Sequence, residues 1–185
     1  MVNLSLSWFK SPTFKMKSNW LSNFSFNKDS KHANPLDNET GEVYLVGAGC
    51  GDAELLTLKA HRLLQQTDVV LYDYLVNPEI IDMIPDKVHK IFVGKKCGRH
   101  SMSQQAICEE MSKHALMGKT VVRLKGGDPS VFGRAAEEMA HLQELNINFA
   151  IVPGVTAAAG CAAWSGLPLT HRESAHSVRF VTAHF

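Results

Sequence analysis

The sequence predicts an α/β fold built around a parallel sheet. From Glu42 onward, short runs rich in β-branched residues alternate with amphipathic stretches of helical period, and this alternation is typical of β-α-β units. The predicted strand ends carry glycines, charged residues or both. Because open α/β sheets bind ligands beyond the carboxyl ends of their strands, the candidate functional loops should lie along one edge of the sheet.

Each element follows from its own residue pattern. Strands are expected where four or five mainly apolar residues follow one another, at 43–46, 68–72, 90–93, 120–124 and 149–152. Helices are expected where apolar residues recur at helical spacing, at 55–65, 103–117, 134–145 and 155–164. Ser103 and Thr156 are suitable residues to begin two of these helices. A last strand is expected at 178–182.

Composition and charge limit the classes of function. The 185 residues are 45% hydrophobic and 20% charged, with a formal net charge of +1. This balance gives no overall field for binding nucleic acid or an anionic membrane, so local cations must hold any anionic ligand. No apolar run approaches the ~20 residues that span a bilayer. Four dispersed cysteines and nine scattered histidines lack zinc-site spacing, which predicts no metal and a reduced, cytoplasmic setting.

Residues 1–40 differ from the rest of the chain. They are rich in Ser, Asn, Lys and Phe, and they contain no acidic residue before Asp29. We expect a leader or linker with little fold of its own. A transit peptide is the alternative, since the segment is Ser-rich and acid-poor, although it contains no arginine.

The first candidate loop is Gly47-Ala-Gly-Cys-Gly-Asp52, directly after the first strand. Its glycines allow a sharp turn and a close approach of the backbone to a ligand, but a plain tight turn uses the same residues. The loop lacks the last glycine of the G-x-G-x-x-G motif that binds dinucleotides. Asp73, however, stands at the end of the second strand, where that motif has an acidic residue that binds the ribose. A nicotinamide-dependent dehydrogenase therefore remains an alternative on these residues.

The second loop, from Lys125 to Arg134, combines a glycine pair, an Asp-Pro turn and a terminal arginine. Ligand binding explains this density of special residues. The alternative is an ordinary connection in which Asp128 caps the next helix, with Arg134 and Glu137 forming a solvated i, i+3 pair.

Two further segments carry chemistry or close packing. Small residues at 152–160 allow either a ligand or a neighbouring backbone to approach. His171 and Arg172 end the run Gly-Leu-Pro-Leu-Thr-His-Arg, which suits carboxylate recognition, although a solvated basic turn would look the same.

Six motifs occur together and in order: G-A-G-C-G-D, Y-D-Y-L-V, V-G-K-K, R-L-K-G-G-D-P-S-V-F-G-R, V-P-G-V-T-A-A and G-L-P-L-T-H-R. In this combination the chain resembles the uroporphyrinogen-III C-methyltransferase family. The resemblance implies the tetrapyrrole methylase fold, which has two α/β domains and is not a Rossmann methyltransferase. It places one domain at 41–158 and only the start of a second, largely missing domain at 159–185.

The resemblance also implies a site. The family cofactor is S-adenosylmethionine, with S-adenosylhomocysteine as product and no metal. The cofactor-binding residues carry over to Cys50, Gly126, Gly127, Asp128, Val131, Thr156 and Ala157. Cys50 stands where the family loop usually has proline, a change that should relax the turn.

Catalytic and substrate residues carry over in the same way. The resemblance assigns proton transfer to Asp73 and Lys95, with Arg134, Glu137 and Arg172 around the substrate. Arg134 is also a catalytic candidate, as a clamp and charge stabiliser, because a guanidinium stays protonated and is a poor base. Asp73 is the better base candidate.

The implied reaction is the transfer of two methyl groups to uroporphyrinogen III, giving precorrin-2 for sirohaem or cobalamin synthesis in the cytoplasm. The implied full-length state is a homodimer. Because the chain ends within what should be an early strand of the second domain, we expect these 185 residues alone to lack turnover. The main alternative to an active methyltransferase is an inactive methylase fragment. A nicotinamide-dependent dehydrogenase is a second, less favoured alternative.

Overall fold

The computed structural model describes residues 40–94 and 102–182, and its centre is a five-stranded parallel sheet. The strands are β1 (Val43–Gly47), β2 (Val69–Tyr72), β3 (His89–Phe92), β4 (Val121–Lys125) and β5 (Phe149–Val152), in the order β3-β2-β4-β1-β5. The helices are α1 (Leu58–Gln66), α2 (Pro78–Asp82), α3 (Gln104–Leu116), α4 (Ala135–Glu144) and α5 (Ala157–Ser165). The predicted α/β class with a parallel sheet is confirmed.

The strand register aligns the carboxyl ends of the strands. β1 pairs with β4 from Val43–Val121 to Gly47–Lys125, and with β5 as far as Val46–Val152. β2 ends in step with β4, since Tyr72 pairs with Leu124. The loops that leave these strands therefore share one edge, as the sequence predicts.

Helices cover both faces of the sheet. On one face, Leu45, Leu71 and Val121 pack in a cluster with Met111 of α3 and Leu142 of α4. On the other face, Val46, Val70 and Leu124 pack with Leu64 of α1 and Ile80 of α2. Strands buried on two faces explain why the predicted strands read as nearly continuous apolar runs.

Some predicted bounds need correction. The helix expected from residue 55 begins at Leu58, because Asp52 caps a separate 3-10 turn, Ala53–Leu55, and Thr57 caps α1. The five residues of α2 are too few to show a helical period, and this helix was not predicted. Ser103 is confirmed as a cap, since its side chain accepts from the N–H of Ala106. Thr156 precedes α5 without a capping hydrogen bond from its side chain.

The last predicted strand is wrong. Residues 178–182 form no strand in the described part of the chain, and their large apolar side chains are exposed. A strand needs a neighbour to pair its N–H and C=O groups, which local sequence preference does not supply. Among residues 40–94 and 102–182, no helix is both long enough and apolar enough to cross a membrane.

Candidate functional site

The first glycine loop and the Lys125–Arg134 loop are joined backbone to backbone. Gly49 donates to the carbonyl of Gly127 at 3.1 Å, and Gly127 donates back to Gly49 at 2.7 Å. Ala48 also donates to the carbonyl of Lys125 at 2.7 Å. The Gly49–Gly127 pair is an isolated antiparallel bridge just beyond the parallel pairing of β1 with β4. The two loops therefore form one surface at the carboxyl edge of the sheet.

Asp128 joins the third segment to this surface. Its Oδ1 accepts from Ser130 N at 2.7 Å, and its Oδ2 accepts from Gly154 N at 3.1 Å. The alternative in which Asp128 caps the next helix is wrong, because Arg134 occupies the N-cap position of α4. Asp128 therefore fixes the loop and its neighbour through both oxygens.

The glycines at this junction have two different roles. A Cβ on Gly154 would lie 2.4 Å from the carbonyl oxygen of Gly127, and a Cβ on Gly47 would lie 2.6 Å from Gly154 N. These two glycines allow close packing of backbone. Gly127 has φ +69°, and the nearest atom to an added Cβ is Ala157 N at 4.0 Å. Gly51 has no atom within 4 Å of an added Cβ. Gly51 and Gly127 therefore face open space.

The remaining cofactor candidates lie around this junction. Cys50 contacts α5 closely, since a Cβ on Gly160 would lie 2.4 Å from its Sγ. Gly126 packs against Leu75, and Val131 donates its N–H to the carbonyl of Asp128 at 3.1 Å. Ala157 begins α5. The structure thus brings Cys50, Gly126, Gly127, Asp128, Val131, Thr156 and Ala157 to neighbouring positions on one edge.

Asp73, the candidate base, is held at the end of β2. Its Oδ1 accepts from Leu75 N at 3.1 Å, which closes a local turn. Its Oδ2 accepts from Nη2 of Arg123 at 3.0 Å. The Asp73 side chain is 20% exposed, so the carboxylate is fixed from the protein side and still reaches solvent.

A buried ion network lies behind Asp73. Arg123 is also bound to Glu138 of α4, with Nε 3.3 Å from Oε1. Glu138 is fully buried and accepts from Lys125 Nζ at 2.8 and 2.9 Å and from Gln104 Nε2 at 3.1 Å. Burial and, to a lesser extent, the charge of Arg123 lower the pKa of Lys125, and the Glu138 carboxylate opposes this shift.

Sequence reasoning missed this network, although a signal was present. β4 is a central strand and should be apolar on both sides, yet Val-Val-Arg-Leu-Lys places charges at two alternate positions. Alternate residues face the same side of a sheet. Arg123 and Lys125 therefore both face α4, which begins at Ala135 and carries the buried Glu138 in its first turn.

Arg134 and Glu137 form an exposed bidentate pair. Nε of Arg134 lies 2.8 Å from Oε1 of Glu137, and Nη2 lies 2.7 Å from Oε2. The hydrogen bonds raise the pKa of Arg134 and lower the pKa of Glu137. Both side chains are more than half exposed, so the pair contributes little to stability. Arg134 also has φ +54°, an unusual conformation for a non-glycine residue.

Three exposed apolar side chains lie close in sequence to Asp73 and Arg134. The sequence motifs did not identify them as site candidates. Tyr74 and Leu75 follow Asp73, and Phe132 precedes Arg134 with φ +53°. Each of the three is more than half exposed. Of the three, only Phe132 has a strained backbone. Exposed apolar residues next to candidate site residues, and a strained one above all, indicate ligand contact rather than core packing.

The last two candidates are less well connected. Arg172 lies in a tight turn closed by mutual backbone hydrogen bonds of His171 and Ala175 at 2.9 Å, and its side chain is exposed. Its guanidinium has no ion pair with the residues that the structure describes. Lys95 lies outside the described residues. No group of three potential metal ligands occurs among residues 40–94 and 102–182.

Comparisons with known proteins agree with this architecture. Residues 42–184 match the model of the tetrapyrrole (corrin/porphyrin) methylases. A sirohaem synthase of Baumannia cicadellinicola is 56% identical over 144 residues, which are 78% of this chain and 31% of that protein. One from Pseudomonas putida is 58% identical over 144 residues, again 78% and 31%. The chain thus spans about a third of the length of these relatives.

Solved structures give the same result. The uroporphyrin-III C-methyltransferase of Thermus thermophilus in complex with S-adenosylhomocysteine has a TM-score of 0.63 and 50% identity, covering 74% of this chain and 57% of that one. Cobalt precorrin-4 methyltransferase has a TM-score of 0.64 and 33% identity, covering 74% and 55%.

The fold and the matched family model together define the class: the chain belongs to the tetrapyrrole (corrin/porphyrin) methylase family. Within that family it is similar to sirohaem synthases and to uroporphyrin-III C-methyltransferase.

Proposed function

We propose that this chain is part of an S-adenosylmethionine-dependent methyltransferase that methylates uroporphyrinogen III at two ring carbons, giving precorrin-2. The observation that carries the proposal is the junction of three glycine-bearing loops at the carboxyl edge of the sheet, joined through Gly49, Gly127 and the carboxylate of Asp128. A solved relative of the same fold, 50% identical, is described in complex with S-adenosylhomocysteine.

The open sides of Gly51 and Gly127 fit a ligand that approaches the backbone closely. In this proposal Cys50, Gly126, Gly127, Asp128, Val131, Thr156 and Ala157 hold the cofactor. Bound S-adenosylmethionine supplies an activated methyl group. The protein then has two tasks: it aligns the ring carbon with that methyl group, and it removes one proton from the substrate.

Asp73 is the proposed acceptor of the proton that leaves the methylated ring carbon. Each carboxylate oxygen already accepts one hydrogen bond, and each retains a further lone pair. The partly exposed carboxylate can therefore receive a proton without losing either partner. Lys95 is the proposed proton donor.

Charged and apolar groups together suit the proposed substrate. A tetrapyrrole has apolar faces and a rim of carboxylates, and the exposed side chains of Tyr74, Leu75 and Phe132 offer apolar contact. Arg134 and Arg172, with His171, are the proposed carboxylate ligands. Glu137 holds the guanidinium of Arg134 in a fixed plane until a substrate carboxylate takes its place.

Binding of S-adenosylhomocysteine is the first test. Calorimetric titration of the 185-residue chain should show binding of S-adenosylhomocysteine and none of a nicotinamide dinucleotide. Methyl transfer from labelled S-adenosylmethionine to uroporphyrinogen III is then measured with the chain alone and with the chain fused to the remaining methylase part of a sirohaem synthase relative. Binding of the dinucleotide without binding of S-adenosylhomocysteine would favour the oxidoreductase alternative. A fusion that binds S-adenosylhomocysteine but does not methylate uroporphyrinogen III would contradict the proposed reaction.

A further inference from the structure

Asn77 connects the start of α2 to the first glycine loop. Its Oδ1 accepts from Glu79 N at 3.0 Å and caps α2, while its Nδ2 donates to the carbonyl of Gly51 at 2.5 Å. Glu79 N is only a donor and the Gly51 carbonyl is only an acceptor. One orientation of the side-chain amide therefore satisfies both contacts, and both ends of the amide are used.

The two halves of the glycine loop are held differently. The first half is fixed by three backbone hydrogen bonds, from Ala48 to Lys125 and in both directions between Gly49 and Gly127. In the second half, Gly51 has φ +122° and open space on the side where a Cβ would lie. Asp52 bonds within its own turn, to Glu54 N at 2.8 Å. Asn77 links this half to another element of the fold.

We propose that Asn77 is a positioning residue for the cofactor loop, and this inference rests on the proposed function. Glycine has the greatest backbone freedom, and ordering it on binding costs affinity. The amide of Asn77 orders Gly51 before the ligand arrives and so holds Cys50 and Gly51 in the conformation that faces the cofactor.

Helix capping alone does not require asparagine at this position. Capping needs an acceptor, and Asp52, Thr57 and Ser103 supply one elsewhere in this chain. Asp and Ser are as good as Asn at this position of a helix. Asn77 uses two separate atoms for its two contacts. Aspartate has no donor, and the single hydroxyl of serine lies one bond closer to its own backbone than the amide nitrogen of Asn77.

This difference separates positioning from stability. Asn77→Ser and Asn77→Asp retain a cap for α2 but lose the bond to Gly51, whereas Ser103→Ala removes the cap of α3 and leaves the loop untouched. We expect the two Asn77 variants to melt no lower than Ser103→Ala, since each loses one hydrogen bond, and to bind S-adenosylhomocysteine about 3- to 10-fold more weakly, the range of one neutral hydrogen bond. Ser103→Ala should melt lower and bind like the parent.

Calorimetry with S-adenosylhomocysteine and thermal melting of the 185-residue chain measure both effects. Affinity within twofold of the parent in Asn77→Ser would overturn the inference. Failure of the parent to bind, both alone and in the fusion with the remaining methylase part, would instead overturn the proposed function. Backbone NMR of the unliganded chain then tests the tether separately: the order parameter of Gly51 should fall from about 0.85 towards 0.6 in Asn77→Ser. An unchanged order parameter would overturn the tether itself.

Discussion

The guanidinium of Arg123 donates to the carboxylate of Asp73 at 3.0 Å, from a position that is itself 4% exposed. Arg123 also donates to the carbonyls of Leu71 and Leu124 and to Glu138. The candidate base is therefore fixed by a cation whose own position is set by β2, β4 and α4. Because the guanidinium of Arg123 is buried, it destabilises the fold unless each of these acceptors remains in place.

Replacement of Asp73 should reveal this dependence. Asp73→Ala removes both acceptor oxygens and leaves Nη2 of Arg123 without its carboxylate, which should cost about 1–3 kcal/mol in the free energy of unfolding. Asp73→Asn keeps one acceptor oxygen and should lose less. Urea unfolding of both variants measures the difference. Asp68→Asn, which alters a carboxylate bound to Thr120 N, is the control. Equal stability of the Ala and Asn variants would contradict the proposed dependence.

Glu138 should matter more for stability than any other carboxylate of the described network. It is fully buried and neutralises Arg123 and Lys125 together. Glu138→Ala leaves two buried cations without their shared partner and should cost about 3–5 kcal/mol. Its neighbour Glu137 is exposed, so Glu137→Gln should cost no more than about 0.5 kcal/mol. Similar urea midpoints for the two variants would show that Glu138 is not essential to the core.

Gly127→Ala should weaken cofactor binding beyond its effect on stability. Its φ of +69° makes alanine unfavourable by about 1–2 kcal/mol, and the new methyl group enters the open space beside Ala157. Gly166 at the end of α5 has φ +66° and an equally open surrounding. Gly166→Ala should therefore lose similar stability and retain its affinity for S-adenosylhomocysteine. Calorimetry measures the affinity of both variants for S-adenosylhomocysteine. Equal affinities would show that Gly127 is not part of the cofactor site.

Arg134→Lys should reduce affinity for a polycarboxylated tetrapyrrole, about tenfold, without changing the melting temperature. Lysine keeps the charge but cannot form the planar bidentate contact. Uroporphyrin III is a stable probe, and quenching of its fluorescence reports binding. Lys113→Ala breaks another exposed i, i+3 pair, with Glu110, and should leave binding unchanged. A match between the affinities of Arg134→Lys and the parent would mark Arg134 as a solvated surface residue.

Tyr44 should make stability fall at high pH. Burial, followed by its hydrogen bond to Glu42, raises the pKa of Tyr44 from 10.0 to about 12. The unfolded chain then loses the phenolic proton first, so this contribution is complete below pH 10 and is lost as pH rises towards 12. Partial exposure limits it to about 1 kcal/mol. Urea unfolding at pH 9 and pH 11 should show the parent losing about half of this amount relative to Tyr44→Phe, because pH 11 lies midway between the two pKa values. Parallel losses would contradict the prediction.

The sequence determined the class of fold and the position of the loops. Each strand of the sheet is a short apolar run buried on two faces, and hydrophobic burial depends on residue type, so local pattern was enough to find all five. The carboxyl ends of parallel strands lie at one edge of the sheet, and this rule is enough to place Gly127, Asp128 and Asp73 along the same edge.

The tertiary structure decided which partner each polar group has. Arg123 reaches Asp73 across 50 residues of chain and Asn77 reaches Gly51 across 26, and such pairings depend on strand order, which local sequence does not contain. For the same reason residues 178–182 have strand-like composition without a strand: their pattern specifies an extended, apolar segment, but only a neighbouring strand can satisfy its backbone hydrogen bonds.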